Sequence, residues 1–303
     1  MTPPATDLLR APVSTGVELC YQTLGDPDGE PLLLVMGLGG PLTWWDDELC
    51  LLLVERGFHV IRYDNRDAGR STRAEGRVSR GALVRAFAGL PVRAPYSLRD
   101  LAADGLALLD HLGLASAHVA GVSMGGMIAQ TMAIEAPGRV RSLTSIMSTT
   151  GRRTVGWQHP SLLPALAGGS KADKTAYVER SARLWAQIGS PRWPMSPEET
   201  RQRAADTYDH GVSESGTLRQ VLAILTQADR EPRLRGLRVP ALVVHGLADK
   251  MVHVSGGRAT AAAIPGAELV LVDGMGHDLP APLFPMLADA LRRTADRAAP
   301  APA

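Results

Sequence analysis

The run Gly121-Val122-Ser123-Met124-Gly125 lies between an apolar segment, Ala117 to Ala120, and a helical pattern carried by Met127, Ile128, Thr131 and Met132. A strand that passes directly into a helix crowds the backbone on both sides of the turn. Glycines at 121 and 125 relieve that crowding, and Ser123 is left projecting with its hydroxyl exposed. The helix beginning at Met124 aims backbone N–H groups and a positive dipole end at charge developing beside that hydroxyl. A bare G-x-S-x-G arises often by chance. Between a strand and a helix it marks a nucleophile.

The rest of the chain alternates strands with helices. Val17 to Thr23 alternates as a strand, and Asp26-Pro27-Asp28-Gly29 turns it back. Leu32 to Met36 is a continuous apolar run, expected of a strand covered on both faces. A helix over Trp44 to Arg56 and a strand over Phe58 to Tyr63 follow. Ser97 caps the next helix, with Asp100 three residues on and Leu98, Leu101, Leu108, Leu109 and Leu112 on its apolar face. Further strands are expected at 140–147, 241–245 and 269–272, with helices at 256–264 and 283–297. This alternation predicts an α/β fold with a mostly parallel central sheet flanked by helices.

Two segments interrupt the rhythm. Residues 72–95 carry Arg73, Arg77, Arg80, Arg85 and Arg93 around small apolar residues, as a solvated face or a gate for a carboxylate. Residues 149–235 form a mostly helical insertion holding Trp157, Trp185 and Trp193. Those tryptophans suit either a large apolar pocket or the insertion's own core, and Trp44-Trp45 follow a glycine-rich loop closely enough for one to face a pocket. Both ends, Met1 to Leu8 and Ala298 to Ala303, read as frayed.

Composition narrows the function. With 303 residues, a net charge of +1 and 21% charged residues, the chain shows no nucleic-acid footprint and no polybasic membrane anchor. No apolar run approaches transmembrane length, and no basic stretch precedes an apolar one at the N-terminus, so a cytoplasmic location is expected. Cys20 and Cys50 read as reduced, packed thiols.

A serine hydroxyl needs a base, and the base needs an acid that fixes its tautomer. His245-Gly246-Leu247-Ala248-Asp249 places Asp249 just past a strand's carboxyl end. Gly274-Met275-Gly276-His277 carries His277 past another. The order Ser123, Asp249, His277 is that expected for a nucleophile on such a turn. His59, His111 and His118 fall within regular elements, His245 ends a strand, and His159, His210 and His253 sit in loops or the insertion. Asp278 adjoins His277 and points the wrong way. Donors for an oxyanion should come from Met124 N–H and from Gly37-Leu38-Gly39-Gly40, with Leu38 N–H first and Gly39 second. That loop ends in Pro41 and lacks the spacing of a dinucleotide site, and no metal-ligand cluster appears.

Together these residues resemble the α/β-hydrolase superfamily over essentially the whole chain except the two insertions. Asp64-Asn65-Arg66-Asp67-Ala68-Gly69-Arg70-Ser71 is similar to its loop after the fourth strand, with Asp67 where glycine is usual, and Met36-Gly37 stands where His-Gly is frequent. With Leu33 to Gly37, Val60 to Asp64 and Gly274 to His277, the chain resembles the aclacinomycin methylesterase group of serine esterases from polyketide pathways. The resemblance implies Ser123, Asp249 and His277 as a triad in a core of residues 1–148 and 236–303. It also implies a cap over 149–235 roofing the pocket.

The reading is therefore a cofactor-independent serine hydrolase acting with water on a carboxylic ester of a hydrophobic, polyketide-like small molecule. Gly39, Trp44, Trp157, Trp185 and Trp193 are the candidate substrate contacts. A carbon–carbon bond hydrolase, an acyltransferase or a perhydrolase on the same triad stays open, as does a ligand-binding protein that kept the fold. Serine at 123 argues against dehalogenases and epoxide hydrolases, which place aspartate there.

Overall fold

The computed structural model describes residues 6–162 and 173–298. Fraying is expected at Met1 to Leu8 and Ala298 to Ala303; of these, 1–5 and 299–303 lie outside the described residues, as do residues 163–172 of the insertion. Thr6, by contrast, is tied down, its N–H donating to Thr23 O at 3.0 Å and its Oγ1 accepting from Thr23 N–H at 3.0 Å.

Eight strands form one sheet: β1 (Leu9–Pro12), β2 (Glu18–Leu24), β3 (Glu30–Val35), β4 (Phe58–Tyr63), β5 (Ala117–Val122), β6 (Val140–Ile146), β7 (Ala241–Gly246) and β8 (Glu268–Val272). Their order is β1-β2-β4-β3-β5-β6-β7-β8. β1 and β2 pair antiparallel, β2 lies antiparallel to β4, and every pair from β4 to β8 is parallel. The strand at Leu9–Pro12 has no counterpart in the expected pattern. It is a four-residue edge strand with one fully buried side chain, Ala11, so it carries almost no alternation.

Period-two geometry splits the apolar run of β3 between two cores. Leu33 and Val35 join Ile61 and Tyr63 under α3 (Leu98–His111) and α4 (Met124–Glu135). Leu32 and Leu34 join Val60, Ala120 and Val122 under α1 (Asp47–Glu55) and α10 (Phe284–Asp296). With helices on both faces, the loops leaving the carboxyl ends of the parallel strands form the rim where ligand sites of such sheets lie. The expected capping box at α3 is present: Ser97 and Asp100 satisfy each other's backbone N–H groups.

Both interruptions contain helices. α2 (Arg80–Phe87) lies within 72–95, capped by Ser79. The longer insertion holds α5 (Lys174–Ile188), α6 (Pro197–Gly211), α7 (Glu214–Leu225) and the short α8 (Glu231–Leu234); α9 (Ser255–Ala263) follows β7. No helix among the described residues is long and apolar enough to cross a membrane.

Candidate active site

Ser123 occupies the single residue between β5 and α4, at φ 56° and ψ −119°. Such a backbone costs of order 1–3 kcal/mol for a non-glycine residue and persists only where its surroundings enforce it. Here they do. A Cβ on Gly121 would stand 2.1 Å from Gly125 O, and one on Gly125 would stand 2.0 Å from Val35 O. The Ser123 N–H donates to Ile146 O at 2.9 Å, and Ser148 Oγ donates to Ser123 O at 2.8 Å.

The acid and the histidine arrive on two loops joined to each other. Leu247 N–H bonds Val272 O and Ala248 N–H bonds Met275 O, so the exits of β7 and β8 are stitched together. Gly246 makes this approach possible, since a Cβ there would stand 2.1 Å from Met275 O. The result brings three distant residues into one line: His277 Nδ1 lies 2.7 Å from Asp249 Oδ2, and His277 Nε2 lies 3.0 Å from Ser123 Oγ. Asp249 and His277 are buried, whereas Ser123 is partly open.

Asp249 Oδ1 accepts from Met251 N–H at 2.8 Å and Val252 N–H at 2.9 Å. Burial pushes its carboxyl up, but the charge of His277 and hydrogen bonds from His245 and His277 outweigh this and hold it well below the usual carboxylate range. It is thus an anion that fixes the imidazole with Nδ1 protonated and Nε2 free to accept from Ser123. His245 bonds Val252 O at 2.8 Å, matching its expected structural role.

Of the candidate oxyanion donors, Gly39 N–H is committed to Gln220 Oε1 at 2.8 Å. Leu38 and Met124 N–H have no acceptor among the described residues. Their loops touch: a Cβ on Gly37 would lie 3.3 Å from Ser123 Cβ and 3.9 Å from Met124 N.

The five candidate substrate contacts fall in different places. Trp44 and Trp185 meet edge to face with ring centroids 5.3 Å apart, while Gly39 is bound to α7. Trp193 packs against the α1–α10 core, and Trp157 is 45% exposed and stacked on His253 at 4.1 Å. Gly39 belongs to the glycine-rich loop, and Trp44 packs against Gly40 of it.

A family model described as the alpha/beta hydrolase fold matches residues 30–280. The chain belongs to this family. Within the alpha/beta hydrolases it is 29% identical to rhodomycin D methylesterase DnrP of Streptomyces peucetius, over 91% of this chain and 94% of that one. It is 28% identical to 3-oxoadipate enol-lactonase 2 of Acinetobacter baylyi, over 80% of each. The solved enol-lactonase of Burkholderia xenovorans superposes with a TM-score of 0.71 at 25% identity, covering 95% of this chain and 98% of that one. The resemblance to the methylesterase group thus extends across nearly the whole chain.

Several site residues of this hydrolase fold escaped the sequence reading because their partners are far away in the chain. Gln220 Nε2 donates to Arg66 O while its oxygen holds Gly39, so α7 pins the glycine-rich loop. Asn65 Nδ2 bonds Met36 O at 2.9 Å. Asp278 does point away from the imidazole: it accepts from Ser190 Oγ, which itself accepts from Gly276 N–H at 2.9 Å. His277 N–H donates to Ile188 O at 2.7 Å, so residues 188–190 brace the histidine loop. Ser190→Ala leaves the Gly276 N–H and the Asp278 carboxylate without this buried partner. If the loop then drifts, turnover falls about tenfold with KM nearly unchanged, which steady-state kinetics on any hydrolysed ester checks.

Proposed function

We propose that the chain is a cofactor-independent serine hydrolase cleaving a carboxylic ester of a hydrophobic small molecule through an acyl-enzyme. The observation that carries this reading is the continuous hydrogen-bonded line from Ser123 through His277 to ionised Asp249. His277 Nε2 takes the proton as Ser123 Oγ attacks the carbonyl, and Asp249 stabilises the imidazolium that forms. Leu38 and Met124 N–H receive the developing oxyanion. The imidazolium then protonates the departing alcohol, and water attacks the acyl-enzyme by the same route in reverse. Methylesterase and lactonase relatives support an ester-type carbonyl as the bond attacked, with a methyl ester of a polyketide-like acid as the substrate class.

A fluorophosphonate probe tests the reading together with p-nitrophenyl butyrate. The expected result is one covalent adduct on the peptide containing Ser123, with ester turnover abolished in step with labelling. Ligand binding without labelling or turnover would instead make the protein a binding module.

A further inference from the structure

Arg203 lies on α6 with its guanidinium 5.5 Å from the Trp44 ring centre and 5.6 Å from that of Trp185. Both rings belong to segments joined to the loops that form the Ser123–His277 site. Trp44 packs on Gly40 of the glycine-rich loop, and Trp185 stands one turn before Ile188, whose carbonyl holds His277 N–H. The two carboxylates whose charge reaches Arg203 are Asp278 and Asp46. Neither forms an ion pair with it: Asp278 takes the Ser190 hydroxyl, and Asp46 caps α1 through Glu48 N–H. Among the described residues the guanidinium's only hydrogen-bond partner is Met195 Sδ, at 3.9 Å. Its other N–H groups have no acceptor among the described residues, and the residue is half-buried rather than buried.

A guanidinium presents five donors in a planar fork, and its strongest partners are carboxylates and other planar oxyanions. The two rings, themselves edge to face with centroids 5.3 Å apart, lie on one side of the guanidinium and attract it through their faces, and its remaining donors are left without partners among the described residues. Burial also disfavours its charge, pushing Arg203 below its ordinary value, so an incoming anion would be held strongly.

We propose that Arg203, set against Trp44 and Trp185, is an anion subsite beside the Ser123–His277 site, so that the preferred ester carries a second carboxylate on its acyl part. This rests on Ser123 being the esterase nucleophile. The subsite fixes the far end of the acyl chain by a charge-assisted hydrogen bond while the ester carbonyl lies at Ser123.

The test uses monomethyl and dimethyl esters of straight-chain dicarboxylic acids from four to eight carbons, with proton release followed at constant pH. In at least one chain length the wild type is expected to prefer the half-ester. Arg203→Met should lower kcat/KM for that half-ester by about 10- to 100-fold and leave the diester within about twofold; Arg203→Lys should recover part of the loss. An equal loss on both esters, or none on either, overturns the subsite, since a brace against the two tryptophans would not distinguish them. Calorimetric binding of the free dicarboxylates to wild type and Arg203→Met separates the two readings. If no ester is hydrolysed but dicarboxylate binding vanishes in Arg203→Met, the subsite stands and the esterase reading falls. If no dicarboxylate binds the wild type and no half-ester is preferred, the subsite falls alone.

Discussion

Ser123→Ala and His277→Ala each lower kcat by about 10⁴- to 10⁶-fold, and the double variant is no slower than the worse single one. The non-additivity follows from the geometry. His277 Nε2 lies 3.0 Å from Ser123 Oγ, so in the proposed mechanism each group works only through the other: the hydroxyl needs a base, and the base acts on that hydroxyl. On this proposal, what survives comes from the Leu38 and Met124 N–H groups and from substrate binding, which leave residual catalysis of about 10³-fold over water in comparable sites. Single-turnover kinetics on an activated ester, with thermal unfolding as a control for folding, measures all three variants. Wild-type rates in His277→Ala would remove the imidazole from the mechanism. Additive losses would mean the two side chains act in separate steps.

Why these three residues were legible in the sequence, while their supports were not, has a physical cause. The parallel strands read as apolar runs because helices bury both faces, and each such run ends at the carboxyl rim. Asp249 and His277 could therefore be placed by counting past β7 and β8. The turn at Ser123 announced itself through Gly121 and Gly125, whose missing Cβ atoms are required by clashes near 2 Å with backbone. β1 gave no comparable pattern, being four residues long at an edge. Gln220, Ser190 and Arg203 were invisible for a different reason. Helical periodicity tells which side of α6 or α7 is apolar, but not which polar residue on it, or in the loop after α5 that holds Ser190, meets a distant segment, as Gln220 meets Gly39 some 180 positions away. The three tryptophans of the insertion shared a composition, not a location.

Asp67 is the departure from the family pattern that the structure explains most fully, and it leads to the largest expected effect on stability. It stands at φ 71°, where glycine is easy and aspartate is strained. Its carboxylate is buried and receives Arg219 of α7 through two bonds, Nε to Oδ2 at 2.8 Å and Nη2 to Oδ1 at 2.6 Å. Tyr96 OH donates to Oδ2 at 2.7 Å, Ala74 N–H donates to Oδ1 at 2.9 Å, and Arg219 Nη1 reaches Gly76 O at 2.8 Å. One ion pair thus ties the end of β4, the arginine-bearing segment and the insertion together. Arg219→Met removes the guanidinium hydrogen-bonded to a buried carboxylate and is expected to destabilise by about 3–5 kcal/mol. Asp67→Gly relieves the strained backbone yet leaves the guanidinium unpaired, so it too destabilises. The double variant, with neither charge and a relaxed turn, should lose at least about 1 kcal/mol less than the two single losses combined. Acid provides the second measurement. Burial pushes the Asp67 carboxyl up, but hydrogen bonds from Arg219, Tyr96 and Ala74 and the charge of Arg219 outweigh it and hold it below the ordinary value. Its contribution is therefore complete above the unfolded value, about 3.9, and is lost as pH falls through the lower folded one. Urea unfolding at neutral pH and below pH ~4 should show the gap between wild type and Arg219→Met narrowing in acid. A loss under about 1 kcal/mol at neutral pH would mean that the clamp is no stronger than an exposed surface pair.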